Sequence, residues 1–355
     1  MTPPSKLWRF LNPLTHNQKL RVLFAGPHFH AGLSSTISLL QSRGTLNSFE
    51  LIHAPTRTDI LNAAPNVEIA LPFMEFFDEE FLERATKLRL VQQFGVGLER
   101  VDVPFATQHG IAVSNVPALH SANAQATAEH ALLLSMMLLR HVTTELPRRL
   151  RERELGGLPL PRTIFGKNVT VVGYGSVGST LCHYLIEMGA NVTAIRSRNW
   201  CPILDEHVRA TKLSCITEAL PTTDILILAC TVTPDTWHLV NDQTLSLLPS
   251  NAIVVNVGRG PLVEYHSILS ALKEGTIGGY ASDVGVGHDT KPSEPWDPND
   301  ELSLLPNTIF TPHVGGYTDV SYGEEGSITR AVVEGMESVL LEGCPIPVWA
   351  NKPKN

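Results

Sequence analysis

The feature that most restricts the fold of this chain is a glycine pattern between a strand-like run and a helix-like run. The pattern G-x-G-x-x-G begins at Gly173, directly after the apolar run Asn168–Val172. The first glycine permits a tight turn, the second lets a pyrophosphate approach the backbone, and the third lets the next helix pack closely on the strand. That helix would direct free N–H groups and its positive dipole end at the phosphates. We therefore predict a dinucleotide site whose phosphate-binding residues are Gly173, Tyr174, Gly175, Ser176, Val177 and Gly178.

The residues expected near the adenosine ribose are basic. The strand predicted at Asn191–Ile195 is followed by Arg196, Ser197 and Arg198, and no carboxylate occurs before Asp205. A site selective for NAD places an acidic residue here to hold the ribose 2′-hydroxyl, whereas guanidinium groups suit a 2′-phosphate. The sequence therefore predicts NADP(H) as the preferred cofactor and keeps NAD(H) as the alternative.

Short apolar runs alternate with helical patterns in two series, which is typical of parallel α/β sheets. The first series covers residues 20–113 and the second covers residues 168–311. Between them, residues 123–140 are rich in Ala, Leu and Met and contain neither Gly nor Pro, which predicts a long helix. A second long helix is predicted over residues 320–341.

Composition excludes several classes of protein. The 355 residues, 43% of them hydrophobic, are enough for two cores. A net charge of -8 argues against nucleic-acid or anionic-membrane partners, and every apolar run is far shorter than the ~18 residues that span a bilayer. Five scattered cysteines without metal-type spacing indicate no metal site and a reducing compartment. We expect a cytoplasmic protein; organelle targeting is the alternative, although three early prolines disfavour an amphipathic targeting helix.

Several segments outside the glycine pattern have distinctive residues. They are Phe94-Gly-Val-Gly97, Ala128-Glu129-His130, Asn256-Val-Gly-Arg259-Gly-Pro-Leu-Val-Glu264, Gly278-Gly-Tyr-Ala-Ser-Asp283-Val284, Ser293-Glu294-Pro-Trp-Asp-Pro-Asn-Asp300 and Thr311-Pro-His313-Val-Gly-Gly316. With the glycine pattern, they resemble the D-2-hydroxyacid dehydrogenase family, including its plant phosphoglycerate-dehydrogenase-like and hydroxypyruvate- and glyoxylate-reductase-like members. The resemblance runs from about Leu20 to Gly343.

The resemblance implies an α/β fold of two Rossmann-like domains. A flavodoxin-like substrate domain would comprise residues 19–118 plus 317–343, and a doubly wound NAD(P)-binding domain, residues 119–316, would be inserted into it. Members of the family usually pair through the region of the long helix, and the helix at 123–140 is richer in Leu and Met than an isolated domain should expose. We therefore expect a homodimer.

The resemblance also implies a catalytic set of Arg259, Glu294 and His313. Chemistry agrees with these roles, because an arginine fork suits the carboxylate and carbonyl of a 2-keto acid, and a histidine can deliver the proton that carbonyl reduction needs. A carboxylate beside that imidazole favours its charged form. Without gaps, however, the family's glutamate position falls on His288. We prefer Glu294, with an insertion in residues 287–292, and keep His288 as the alternative.

The remaining site residues follow from the same resemblance. The backbone N–H groups of Val96 and Gly97 would bind the substrate carboxylate, and Asp283 would hold the nicotinamide carboxamide. Arg259 and His313 would also contact the substrate. Other residues expected near the cofactor are Thr231, Thr233, Val257, Gly258, His313 and Gly315. His28 and His30 form an H-x-H without an evident third ligand, so we interpret them as solvated or near the substrate rather than metal-binding.

The predicted activity is reduction of a small 2-keto acid to a D-2-hydroxy acid, or the reverse. A formate-dehydrogenase-like enzyme is an alternative, but it would require a Gln, and none occurs between Asp283 and His313. A dinucleotide-binding corepressor is the other alternative, although only a short segment follows residue 341, where such proteins carry a long extension. Which 2-keto acid is used stays open; a phosphorylated one would need further basic residues, with Arg57 as a candidate.

Overall fold

The structure is a computed structural model that describes residues 8–9, 19–27, 29–116, 122–156, 159–197, 199–200, 210–285, 297–340 and 349–352. The chain divides into two compact units, Met1–Asn123 with Thr318–Asn355, and Ala124–Tyr317. Within the described residues, no helix is both long and apolar enough to cross a membrane.

The first unit contains a five-stranded parallel sheet in the order β2-β1-β3-β4-β5. Its strands are β1 (Leu20–Ala25), β2 (Phe49–Ala54), β3 (Ile69–Pro72), β4 (Leu90–Gln92) and β5 (Ala112–Ser114). Its helices are α1 (His30–Ser42), α2 (Arg57–Ala63), α3 (Glu79–Arg84), α4 (Val103–Gln108), α10 (Asp319–Tyr322) and α11 (Ser327–Ser338). This strand order is the flavodoxin-like one, so the predicted fold of this unit is confirmed.

Alternating residues of these strands face two separate cores. Val22 packs in a cluster that includes Leu40 of α1 and Val332 of α11, whereas its neighbour Leu23 packs in a cluster that includes Phe81 of α3. Successive side chains of a strand point to opposite faces, so a nearly continuous apolar run is what a sheet covered on both faces requires. The final helix α11 therefore belongs to the core of the first unit.

The second unit contains a seven-stranded parallel sheet in the order β12-β11-β10-β9-β6-β7-β8. Its strands are β6 (Asn168–Val172), β7 (Asn191–Ile195), β8 (Thr211–Leu213), β9 (Ile225–Leu228), β10 (Ile253–Asn256), β11 (Gly279–Ser282) and β12 (Thr308–Phe310). Its helices are α5 (Asn123–Leu139), α6 (Glu145–Glu152), α7 (Ser176–Glu187), α8 (Asp242–Leu245) and α9 (Tyr265–Glu274). The order is that of the doubly wound Rossmann fold with its switch point beside β6, as predicted.

The prediction of a single long helix over residues 320–341 is wrong. The structure has two helices here, α10 and α11, separated by a turn at residues 323–326. A Cβ on Gly323 would lie 2.3 Å from the carbonyl oxygen of Asp319, and one on Gly326 would lie 2.4 Å from that of Ser321. The turn therefore depends on two glycines, and the apolar periodicity on either side concealed the break.

Candidate active site

The predicted residues of the second unit gather at one edge of its sheet. Each follows the carboxyl end of a strand: the glycine turn follows β6, Arg196 follows β7, Arg259 comes after β10, and His313 comes after β12. In open parallel sheets, ligands bind at this edge, close to the point where the strand order reverses. The strand order therefore brings residues as far apart in the chain as Gly173 and His313 to the same edge.

The three glycines of the turn differ in what an added side chain would meet. Gly173 has φ +99°, and a Cβ there would lie 2.7 Å from the carbonyl oxygen of Ala229. A Cβ on Gly178 would lie only 1.8 Å from the carbonyl oxygen of Gly173, so the helix packs directly on the turn. At Gly175 a Cβ would meet no atom within 4 Å. That space lies at the start of α7, whose first N–H groups have no partner within the helix, and it fits a pyrophosphate.

An aromatic residue that the sequence did not single out supports Arg196. The guanidinium carbon of Arg196 lies 4.0 Å from the centroid of the Trp200 ring, and Nη2 donates to the carbonyl oxygen of Asn199 at 2.8 Å. The Trp200 ring also packs edge-on against Tyr174 of the glycine turn, with centroids 5.1 Å apart. Its Nε1 donates to the carbonyl oxygen of Leu213 at 3.1 Å. Arg196 is thus stabilised by Trp200, which also contacts the glycine turn. Ser197 is exposed, and Arg198 lies outside the described residues.

The two predicted threonines lie in a turn beyond β9. Thr231 and Thr233 are both exposed, and the hydroxyl of Thr236 organises the backbone between them. That hydroxyl accepts from the N–H of Thr233 at 2.7 Å and donates to the carbonyl oxygen of Thr231 at 2.9 Å. The turn therefore presents Thr231 and Thr233 at the same sheet edge as the glycine turn.

A buried amide shapes the turn that carries Arg259. Asn256 is fully buried; its Oδ1 accepts from the N–H of Gly258 at 3.0 Å, and its Nδ2 donates to the carbonyl oxygen of Arg259 at 2.9 Å. Val257 is buried, and Arg259 is half-buried with Nη1 donating to the carbonyl oxygen of Gly258 at 2.8 Å. A Cβ on Gly258 would lie 2.7 Å from the carbonyl oxygen of Cys230, so no other residue fits there.

Asp283 is buried beneath the segment that carries His313. Its Oδ1 accepts from the Thr311 hydroxyl at 2.6 Å and from the N–H of Val314 at 2.9 Å, and its Oδ2 accepts from the N–H of Gly315 at 2.7 Å. Burial disfavours the charged carboxylate, but the nearby His130 ring and the hydrogen bonds from Thr311 and Val314 outweigh it and lower the pKa of Asp283. His313 itself is half-buried and has φ +57°.

In the first unit, hydrogen bonds fix the two peptide planes of Val96 and Gly97. The carbonyl oxygen of Gly95 accepts from the N–H of Val116 at 3.0 Å, and that of Val96 accepts from Nδ2 of Asn115 at 2.6 Å. In a planar trans peptide the N–H points away from its C=O. The N–H groups of Val96 and Gly97 therefore both point away from the segment that follows β5.

Besides Arg198, three other residues named from the sequence lie outside the described residues: Glu294, His288 and His28. His30 is exposed and is the first residue of α1. Among the described residues, no group of three or more His, Cys, Asp or Glu side chains could hold a metal ion.

Comparison with known proteins shows which family combines these features. The family described as "D-isomer specific 2-hydroxyacid dehydrogenase, NAD binding domain" matches residues 132–315. The glyoxylate reductase of Pyrococcus furiosus is 30% identical over 79% of this chain and 83% of its own length. The glyoxylate/hydroxypyruvate reductase B of Yersinia enterocolitica is 27% identical over 87% and 93%. The solved NADPH-dependent glyoxylate/hydroxypyruvate reductase of Sinorhizobium meliloti, with NADP and malonate, shares the fold at a TM-score of 0.76, with 24% identity over 94% and 98%.

The chain belongs to the D-isomer specific 2-hydroxyacid dehydrogenase family. It is accordingly an oxidoreductase that acts on 2-hydroxy acids, and its second unit binds a nicotinamide dinucleotide. The family, the fold class and the enzyme class predicted from the sequence are confirmed. The glycine turn is compatible with a bound dinucleotide, because the space that a side chain on Gly175 would fill is open.

Proposed function

We propose that the protein reduces a small, unphosphorylated 2-keto acid to the D-2-hydroxy acid with NADPH, or catalyses the reverse oxidation. The observation that carries this proposal is the position of His313 and Arg259 at the sheet edge that also bears the dinucleotide turn. The relatives named above act on glyoxylate or hydroxypyruvate, according to their names, and both compounds are 2-keto acids of two or three carbons.

The surroundings of Arg57 support an unphosphorylated substrate. Its Nη2 donates to Oδ1 of Asp78 at 2.6 Å and to Oε2 of Glu80 at 3.1 Å, and its Nη1 donates to the carbonyl oxygen of Phe76 at 2.8 Å. Two carboxylates beside this guanidinium would repel a phosphate dianion. Arg57 therefore stabilises its own loop. It does not supply the basic residue that a phosphorylated substrate would need.

The proposed chemistry divides between Arg259 and His313. When bound, the dinucleotide supplies the hydride that reaches C2 of the keto acid. His313 donates a proton to the carbonyl oxygen, so that negative charge does not accumulate there. Arg259, held by its bonds to residues 256–258, grips the carboxylate and polarises the carbonyl. Glu294 favours the charged form of His313, with His288 as the alternative in that position.

The two remaining assignments concern binding. We assign residues 19–118 plus 317–343 to the substrate domain and 119–316 to the dinucleotide domain, with the Val96 and Gly97 N–H groups binding the substrate carboxylate. For the cofactor, Arg196 reads the 2′-phosphate of NADPH together with Arg198, because Trp200 fixes its guanidinium and no acidic residue follows β7 before Asp205.

The test is a panel of glyoxylate, hydroxypyruvate, pyruvate and phosphohydroxypyruvate, each assayed with NADPH and with NADH. We expect turnover of the unphosphorylated acids with NADPH and little turnover of the phosphorylated one. Exclusive turnover of phosphohydroxypyruvate would overturn the substrate assignment. Tight NADPH binding without turnover of any acid would favour the dinucleotide-binding corepressor instead.

A further inference from the structure

The backbone of His313 adopts a conformation that needs support from its surroundings. Its φ of +57° lies in the left-handed region, which residues with a Cβ rarely adopt. Such conformations persist when neighbouring interactions over-determine them, and they cluster at functional sites. The support should therefore come from contacts on both sides of His313.

Asp283 supplies those contacts. Its carboxylate bonds the Thr311 hydroxyl two residues before His313, and the N–H groups of Val314 and Gly315 directly after it, at 2.6, 2.9 and 2.7 Å. Asp283 is itself fixed, because it is 3% exposed and its N–H donates to the carbonyl oxygen of Asn256 at 3.0 Å. The carboxylate thus clamps the chain around the proton donor. Because a carboxylate has about four acceptor positions, this clamp uses most of them.

His130, on α5, completes the clamp from another element. Its Nε2 lies 2.9 Å from the Thr311 hydroxyl oxygen and 3.4 Å from Oδ1 of Asp283. The ionised carboxylate can only accept, so the single hydroxyl proton of Thr311 is directed at Asp283. Thr311 must then accept from His130, which places a proton on Nε2. The bonds run in one direction, from His130 Nε2–H to Thr311 and from Thr311 O–H to Asp283.

We propose that His130, Thr311 and Asp283 form a positioning unit that holds His313 in place for proton donation. The sequence resemblance implies that Asp283 holds the cofactor's carboxamide and gives His130 no role; the proposal adds a positioning role for both residues. The proposal rests on the function proposed above for His313. None of the three side chains needs to touch the substrate for the unit to act, because its bonds end on the backbone and on one another.

The matched variants are Thr311→Val, which keeps the shape of the side chain and removes the hydroxyl, and Thr311→Ser, which keeps the hydroxyl. We expect Thr311→Val to lower kcat per NADPH-binding site by about 10- to 100-fold, the scale on which misplacement of a reacting group acts. Thr311→Ser should stay within about threefold of the parent. Counting sites by NADPH binding removes any effect of a smaller folded fraction.

A second readout is independent of turnover. In the cofactor-free protein, ¹⁵N-histidine NMR should show a proton on Nε2 of His130, and Thr311→Val should make that proton exchange faster with water. If Thr311→Val does not fold, the same comparison applies to His130→Leu against His130→Gln, since only the glutamine retains a donor.

Equal kcat per site in Thr311→Val and the parent would overturn the positioning role, as would a His130 proton found on Nδ1 alone. Equal losses in Thr311→Val and Thr311→Ser would also overturn it, because the hydroxyl would then be irrelevant. If the parent protein turns over no 2-keto acid, the proposed function fails. If the parent turns over a 2-keto acid and Thr311→Val does so equally well, only this inference is refuted.

Discussion

The side-chain amide of Asn115 donates to the carbonyl oxygen of Val96 at 2.6 Å. This bond sets the plane of the peptide whose N–H belongs to Gly97, one of the two groups proposed to bind the substrate carboxylate. Asn115 follows β5 and does not need to meet the substrate itself.

Replacing Asn115 by alanine should therefore weaken substrate binding. We expect KM for the 2-keto acid to rise about two- to tenfold, the equivalent of one hydrogen bond, with the Kd of NADPH unchanged. Steady-state kinetics and fluorescence titration measure the two quantities. Asn62→Ala, at an exposed position of α2, is the control and should change neither. Similar increases in both constants for Asn115→Ala would contradict the assignment.

The proton donor is best tested by His313→Asn. Asparagine tolerates the left-handed backbone that His313 adopts, so the clamp around it should survive. We expect kcat to fall by roughly 10²–10⁴-fold, the range of general acid catalysis, with cofactor affinity retained. Arg259→Ala should raise KM as well as lower kcat, because it grips the ground state too. His266→Asn, at an exposed position of α9, is the control, and a His313→Asn enzyme of normal kcat would exclude the role.

The pH dependence of turnover distinguishes Glu294 from His288 as the partner of His313. Glu294→Gln removes an anion that favours the protonated imidazole, so the pH–rate profile for reduction should move to lower pH. His288→Ala should leave the profile in place. The reverse pattern, with a shift from His288→Ala and none from Glu294→Gln, would show that residues 287–292 contain no insertion and that His288 occupies the position.

Cofactor preference should depend on Arg196 and its aromatic support. We expect the parent to prefer NADPH over NADH by at least tenfold, about 1.4 kcal/mol. Replacing Arg196 and Arg198 by alanine should weaken NADPH binding and hardly change NADH binding.

Trp200→Leu should weaken NADPH binding by about two- to fivefold, since a partly exposed cation–π contact is worth about 0.5–1 kcal/mol. Trp200→Phe retains a ring and is the control; equal losses for both cofactors would mean that the 2′-phosphate is read elsewhere.

The exposed apolar side chains of α5 and α6 lead us to expect a homodimer. Leu133 and Met136 on α5, and Leu146 and Leu150 on α6, are exposed, Leu150 to 82%. Large exposed apolar patches usually mark association sites, and these four side chains lie on two consecutive helices. Sedimentation at micromolar concentration should show a dimer, and Leu146→Lys with Leu150→Lys should give a monomer. Leu304→Lys, at a leucine of similar exposure elsewhere in the second unit, should remain dimeric. A monomeric parent protein would contradict this expectation.

The sequence was informative where a function depends on backbone geometry and close packing. The glycine turn is such a case, because a Cβ at Gly173 or Gly178 would collide with a backbone carbonyl, and few other residues satisfy that constraint. The strands were predictable for a related reason, since sheets covered on both faces need nearly unbroken apolar runs. The polar edge strand Thr211–Leu213 has no such run and was missed.

Supporting residues were less predictable because their role depends on distant partners. Asn115, Trp200 and Thr311 act through hydrogen bonds or ring contacts with segments that the sequence does not place beside them. The helix α6 was also missed; its sequence, ELPRRLRE, contains a proline and few buried positions. Local sequence patterns therefore indicated the residues proposed to contact the ligands, but they could not indicate the residues that hold those residues in place.

The segment that carries His313, the proposed proton donor, follows β12, an edge strand that has only three residues and pairs with β11 alone. Short edge strands ordinarily fray, because half of their backbone groups lack a ladder partner. The bonds from Asp283, at the end of β11, to the N–H groups of Val314 and Gly315 extend the pairing beyond the last ladder residue. Local opening of this edge is thereby tied to opening of the next strand inward, so a short edge strand is followed by one of the least independent segments of the sheet.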